Sequence, residues 1–378
     1  MFTDVSAKFR DAIRRPHTIR TTAVHRNLWT GDTTVLTSFI LDGTVTDDCT
    51  SQTRRTLNLT LAPSDAIWQA LNTVGGEITV NQYLRYVDGS RDTVPMGVFI
   101  VDTDQLGYGP GDTISITAPD RMGKVQKNTL ALDARASVPG NAAWQEIKRL
   151  IEGAWNATYT FPGWSQLDET ATTKVGSLSW DDGDRGNAIA DLCTANSLEV
   201  FPDRNGLFVL RPIPVFTSTS PPSLQVVAGA QGVMISADRT RDRTSIRNSI
   251  NVSTTATDVT FTPVTVENTT AGDPLSVNGP LGRMAEDYAL STLRNSAQAL
   301  AAGKVRLSQT LGVSSQVSLE AVGDPTIDSQ DVGLAIFPKI DRDTSRPSEL
   351  HVVDVVAHPL APTGTQSITT RATVAAIT

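Results

Sequence analysis

The chain has 378 residues, more than a single hydrophobic core usually serves, so two or three domains are expected. Hydrophobic residues make up 39 % and charged residues only 19 %, with Thr and Ser filling polar positions, a balance that favours β structure over long charged helices. A formal net charge of −8 argues against stable nucleic-acid binding; the two cysteines, Cys49 and Cys193, fit neither a disulfide framework nor a four-thiolate zinc site; and no window reads as a secretory signal or a bilayer span.

Phe2, Val5, Phe9 and Ile13 recur at helical spacing, with Asp4 in the expected first turn and Arg14 and Arg15 at the end, which predicts a short amphipathic helix. From Thr18 to about Pro119 the apolar period becomes two: Val35 to Leu41, then Leu57, Leu59 and Leu61, then Ile78, Val80, Leu84 and Tyr86, then Val98 to Val101, then Ile114 and Ile116. Turn chemistry separates these strands at Leu41-Asp42-Gly43, at Asp88-Gly89-Ser90 and from Gly107 to Asp112, and Ser64 caps one helical turn around Ile67, Trp68 and Leu71. The spacing predicts a small barrel or sandwich, which with the N-terminal helix makes a first domain over 1–120, taken as a β-barrel.

Residues 121–222 read as an α+β middle domain. Trp144, Ile147, Leu150 and Ile151 share a helix face between caps at Asn141 and Gly153, and a second helix runs from near Asp184 to Asn196. A hairpin follows, Ser197 to Phe201 and Leu207 to Leu210, turning through Asp203-Arg204-Asn205-Gly206, and the Pro-rich stretch to Pro222 reads as a linker. Over 223–378 strands return: Ser249 to Ser253, Val259 to Val266, Val313 to Val322, Asp331 to Ile336, Leu350 to Val356 and Ser367 to Val374. They form a second barrel interrupted, over about 267–309, by a loop and an Ala-rich helix carrying Tyr288, Leu293, Ala297, Leu300 and Ala301. The expected fold class is mainly β, two small barrels flanking an α/β unit. Arg55 to Thr60 and Asn248 to Ser253 echo one another, so the polar residues flanking them, Arg54, Arg55, Arg247 and Asn248, are the candidates for an interface that sets barrel-to-barrel register.

Catalytic and metal signatures fail on inspection. Gly107, Gly109 and Gly111 begin like a dinucleotide loop, but Asp112 and a following strand break the fingerprint. Asp102 and Asp104 begin like a calcium loop, yet Leu106 stands at a ligand position and Thr113 where Glu belongs, so a hairpin turn is the better reading. His351 and His358, seven apart, are expected on opposite faces of a strand. Asp181, Asp182 and Asp184 beside Trp180 could serve a glycan hydrolase as acid and base, but carboxylates before a helix are first of all its N-terminal caps. The expectation is therefore no enzyme, no catalytic residues, no cofactor and no metal.

Four stretches carry a family resemblance. Leu41 to Asp48 with Arg54 to Leu59 resembles an opening hairpin with a Gly-x-Val turn and an Arg pair, and Pro95-Met96-Gly97-Val98-Phe99 resembles a later strand of the same barrel. Trp180, Arg185, Ala188, Ile189 and Leu192 with Phe201 to Pro212 resemble a helix leading into a Gly-turn hairpin. Gly282-Arg283-Met284, the Ala-rich helix and Gly323-Asp324-Pro325 with Asp331-Val332 resemble the return into a closing barrel. In this order they are similar to the hub proteins of bacteriophage tail baseplates and siphophage tail tips, and to the hub portion of type VI spike proteins.

The resemblance implies a virion protein of the tail tip, made in the host cytoplasm. It implies a homotrimer whose two barrels per chain match a sixfold tail tube to a threefold tip. Its partners would be the distal tail protein or tube ring, the tape-measure C-terminus, and tip, spike or receptor-binding proteins. DNA would pass through without being held, which the acidic balance suits. Two other readings stay open: a host-recognition or carbohydrate-binding tail module, which would expose an aromatic patch, and a tail-associated glycan hydrolase, which would need Asp182 or Asp184 for activity.

Overall fold

The computed structural model describes residues 2–15, 17–71, 74–107, 109, 111–217, 219–227, 233–312, 315–336, 349–362 and 364–373, and the architecture is mainly β with some helices. Helix α1 (Ala7–Ala12) turns Phe9 into the first core. Ser6 Oγ accepts the Phe9 N–H at 3.2 Å and so starts the helix late: Asp4 precedes it, and Arg14 and Arg15 follow it. Next come β1 (Ile19–Asn27), β2 (Thr33–Val35), β3 (Ile40–Asp48), β4 (Arg55–Leu61), α2 (Asp65–Ala70), β5 (Gly76–Arg85), β6 (Arg91–Ile100), β7 (Thr103–Leu106) and β8 (Ile114–Pro119).

Leu57, Leu59 and Leu61 of β4 all point inward, as their alternation requires. The run Val35 to Leu41 is not one strand, because a 3-10 turn over Thr37–Phe39 breaks it. Nor is Leu41-Asp42-Gly43 a turn. It lies inside β3, whose register against β4 shifts between Ile40 and Asp42, and a Cβ on Gly43 would stand 2.7 Å from the Asn58 carbonyl oxygen. The same small residue that suits a hairpin here serves a bulge. Asp88-Gly89-Ser90 does close the β5–β6 hairpin, with the Tyr86 N–H on the Ser90 carbonyl, and Ser64 caps α2.

The middle of the chain supplies α3 (Arg121–Lys127), α4 (Ala143–Glu152), β9 (Trp164–Leu167), α5 (Arg185–Ala195), β10 (Leu198–Pro202) and β11 (Phe208–Pro212). The three helices and a small sheet, in the order β10-β11-β9, enclose a second core around Ile147, Leu150, Ile189, Leu192 and Phe208. The cap of α4 is Ala142 rather than Asn141: Gln145 Oε1 accepts the Ala142 N–H at 2.8 Å, while Asn141 reaches Glu146. Trp144, Trp155 and Trp164 pack half-buried against this core and Trp180 within it.

The remaining elements are β12 (Leu224–Val227), β13 (Met234–Arg241), β14 (Ser249–Thr254), β15 (Val264–Glu267), β16 (Ala285–Leu290), α6 (Ser296–Gly312), β17 (Ser315–Val322), β18 (Val332–Ile336), β19 (Glu349–Pro359) and β20 (Thr365–Ala372). The expected strand from Val259 shortens to β15, and Tyr288, expected on the Ala-rich helix, lies in β16, which runs parallel to β14. The ends expected at Val313 and Val374 fall outside the described residues.

One ten-stranded sheet runs β13-β17-β20-β19-β3-β4-β8-β7, with β18 and β12 attached beside β19. Its seam is the antiparallel pairing of β19 with β3, from Val355↔Asp48 to Pro359↔Thr44, so strands from the two ends of the chain share one set of backbone hydrogen bonds. A second sheet, β2-β1-β5-β6, packs its inner residues into the first core, and a third, β15-β14-β16, is covered by α6. Among the described residues no sheet closes into a barrel. The echo strands also differ in setting: β4 has two antiparallel neighbours, whereas β14 has one antiparallel and one parallel.

Candidate functional site: a buried charge junction

Charged residues gather where the β3–β4 hairpin, the β10–β11 hairpin and the segment before β18 meet. Asp47 ends the buried stretch of β3, Arg54 immediately precedes β4 and Arg55 opens it; their residue exposures are 1 %, 4 % and 4 %. Arg54 Nε donates to Asp47 Oδ1 and Ser329 Oγ, both at 3.0 Å, and Nη2 donates to the Ser329 carbonyl at 2.8 Å. Arg55 Nη2 donates to Asp47 Oδ2 and Asp328 Oδ1, both at 3.0 Å, while Nη1 donates to the Pro202 carbonyl.

From the turn of the β10–β11 hairpin, Arg204 Nε donates to Asp328 Oδ1 at 2.7 Å, and its other nitrogens reach the carbonyls of Pro95, Pro325 and Ile327. Arg211 bridges Glu199 Oε1 and Gln330 Oε1, each at 2.6 Å. The Arg54 guanidinium also lies 3.9 Å from the centre of the Phe201 ring. A cleft of about 760 Å³ opens beside this network, lined by Arg54, Phe201, Arg204, Arg211 and Gln330 among others.

Burial alone would push the Asp47 carboxyl up, but the Arg55 and Arg54 guanidiniums and the Ser329 hydroxyl outweigh it and hold Asp47 well below the usual carboxylate range. Asp328 is lowered in the same way, with Arg204 and Arg55 overcoming burial. Arg55 in turn is raised, because Asp47 and Asp328 more than offset its own desolvation. A network of permanent charges, with donors placed on carboxylates and carbonyls, clamps three stretches of chain. It suits holding rather than proton transfer.

The structure therefore brings Arg54 and Arg55 together inside the molecule and places Arg247 and Asn248 elsewhere, at the start of β14. Asn248 is fully buried: Nδ2 donates to the Leu275 and Gly282 carbonyls and Oδ1 accepts the Met284 N–H, which pins the loop before β16. Arg247 Nη1 donates to the nearby carbonyls of Thr244 and Ile246. Sequence reasoning missed Asp47, Glu199, Arg204, Arg211, Asp328 and Gln330 as parts of one unit. The available signal was charge at the ends of strands whose interior positions are apolar.

The other sequence candidates have local roles. Asp184 caps α5 by accepting the Asn187 N–H at 2.9 Å, Asp182 accepts the Asp184 N–H, and Asp181 accepts the Ser179 hydroxyl. The Gly107–Asp112 stretch joins β7 to β8 as a hairpin, with Tyr108 and Pro110 outside the described residues. His351 and His358 do not face opposite ways. Their Nδ1 atoms meet Thr370 Oγ1 and Gln366 Nε2, four apart on one face of β20, because a bulge in β19 between Val353 and Val355 restores the phase. Among the described residues no group of three His, Cys, Asp or Glu is placed to hold a metal, and no helix is long and apolar enough to cross a membrane.

No protein-family model and no curated protein matches the sequence. Solved structures do match in shape. The tail protein of Neisseria meningitidis MC58 superposes with a TM-score of 0.63 at 11 % identity, over 93 % of this chain and 96 % of that one. The 43 kDa tail protein of prophage MuSo2 from Shewanella oneidensis gives 0.60 at 11 % identity, over 93 % and 98 %. The half-lidded PdpA–VgrG complex of Francisella gives 0.53 at 9 % identity, over 94 % of this chain and 58 % of that one. The chain thus has the fold of phage tail proteins, a fold seen also in the PdpA–VgrG complex, as its sequence resemblance to tail hubs implies.

Proposed function

We propose that this chain is a structural hub protein of a tail tip. Three copies form a ring at the distal end of the tail tube, bind the distal tail protein on one side and tip or spike proteins on the other, receive the tape-measure C-terminus, and let DNA pass. The observation that carries the reading is the fold: tail proteins are matched over nearly their whole length, 96 % and 98 %, rather than through a shared module. The internal construction supports it. Residues 1–120 and 223–378 act as two β modules joined by the β3·β19 seam and the charge junction, with 121–222 as the unit between them. Two such modules per chain make six per trimer, the number a sixfold tube requires.

The mass of the purified protein in solution, measured by light scattering over a range of concentrations and with the neighbouring tail proteins added, tests this. A trimer, alone or with partners, is expected. A monomer that ignores every tail protein overturns the reading.

A further inference from the structure

A groove of about 640 Å³ separates the N-terminal segment around α1 from the second β module. Pro222 to Val226, the start of β12 and the residues before it, line it without a gap. Successive side chains of a strand point to opposite faces, so an unbroken run of neighbours along one groove means that the strand meets it edge-on. Among the described residues β12 pairs with β18 alone, so its second edge has no strand beside it, and that edge is the one the groove follows. It presents backbone donors and acceptors to whatever enters.

The floor is apolar, with Val5, Phe9 and Ile13 from the N-terminal segment and Val226, Ala321 and Ile327 from the second β module. At the rim stand Arg10 and Arg14, both exposed, and neither guanidinium has an ion pair or hydrogen bond among the described residues. Asp324, a carboxylate of the lining, is turned into its own loop, where Oδ1 accepts the Thr326 N–H at 2.9 Å and the Thr326 hydroxyl at 2.6 Å. A lipid with an anionic head would use the floor and the arginines but leave the strand edge idle. An extended peptide uses all three: main-chain hydrogen bonds on the edge, alternate apolar side chains on the floor, and carboxylates at the arginines. We propose that this groove takes an extended segment of a partner protein, alternating in apolar residues and flanked by Asp or Glu, as an added strand on β12. At about 3.3 Å per residue the edge holds about five residues of it. The groove lies within one chain, so this binding stands apart from the ring.

The test selects a display library of random short peptides on the full chain and titrates the enriched peptides, fluorescein-labelled, by anisotropy. They are expected to alternate in apolar residues and to carry flanking Asp or Glu. Arg10→Glu with Arg14→Glu, two exposed changes expected to leave the melting temperature in place, should weaken their binding by about tenfold or more. N-methylation of alternate peptide amides should abolish binding in one of its two phases, because a strand turns only every second N–H towards a given neighbour. No enriched peptide, or peptides indifferent to the arginines or to both N-methylation phases, overturns the proposal. A fluorescent dodecanoate that binds through the arginines while no peptide does makes the groove a lipid site. A chain that binds no peptide but whose mass in light scattering falls on reversing the arginines holds a second copy there; both results also overturn it.

Discussion

Asp47 is a single carboxylate answering two guanidiniums in a place that water barely reaches. Removing it leaves Arg54 and Arg55 buried with part of their compensation gone, a situation that typically costs about 3–5 kcal/mol. Asp47→Ala is therefore expected to lower the urea midpoint sharply, without changing the dependence on denaturant unless the chain loses compactness. The Lys148–Glu152 pair, open to solvent, is the control: Lys148→Ala should leave the midpoint nearly where it was. The His358 ring gives a second prediction. Burial, helped by the Arg204 charge, pushes its imidazole down to about 3 from an ordinary value of 6.5. Between those values the unfolded chain binds a proton that the folded chain refuses, so the contribution of His358 is complete above about pH 6.5 and is lost as pH falls towards 3. Asp354 and Asp120, pushed up by burial to about 6 and about 7, work in the opposite direction. The His358 share is accordingly read as the difference in pH dependence between the parent and His358→Gln, with the variant losing less stability on acidification.

At the scale of elements, helix α6 shows how a small residue sets a packing distance. A Cβ on Gly303 would come within 2.6 Å of Val266 Cγ2 and 2.9 Å of Val252 Cγ2, so the helix lies against β14 and β15 only because that position is bare. Gly303→Ala would gain roughly 1 kcal/mol of helix propensity in isolation, but overpacking of this kind costs about 1–3 kcal/mol. The expected net result is a lower melting temperature, checked by thermal unfolding; a rise would mean that the helix can back away freely. Elements that bury one face were legible in the sequence. β4 alternates because one side meets the core, and α5 announces itself by Asp184 and the spacing of Ile189 and Leu192. β13 was not legible, since a strand bare on both faces has no hydrophobic period to show. β9 and β16 are four and six residues long and pair in parallel with strands far along the chain, so no adjacent turn marks them. The charge junction was half legible. Arg54 and Arg55 stood out beside an alternating strand, but Ser329, which completes their cage, lies 282 positions beyond Asp47, and nothing local links the two.

At the scale of the whole molecule, the β3·β19 seam decides what can fold alone. Cutting the chain after residue 222 removes β19, which strips β3 of one backbone ladder and bares the edge from Thr44 to Asp48. The same cut takes away Asp328, Ser329 and Gln330, leaving Arg54, Arg55 and Arg204 without much of what they bind. It also removes α6, whose neighbourhood holds the far end of α5 through the Thr292 hydroxyl on the Asp191 carbonyl and Gln298 on Asn196. A new strand edge and stranded buried charges are together the ingredients of aggregation rather than of a smaller stable domain. Fragment 1–222 is thus expected to be insoluble or to melt without cooperativity. In the intact chain the shared sheet couples both ends, so calorimetry should show the two β regions unfolding in one transition. Two resolved peaks, or a soluble fragment with a sharp melt of its own, would mean that the seam joins finished domains instead of completing one.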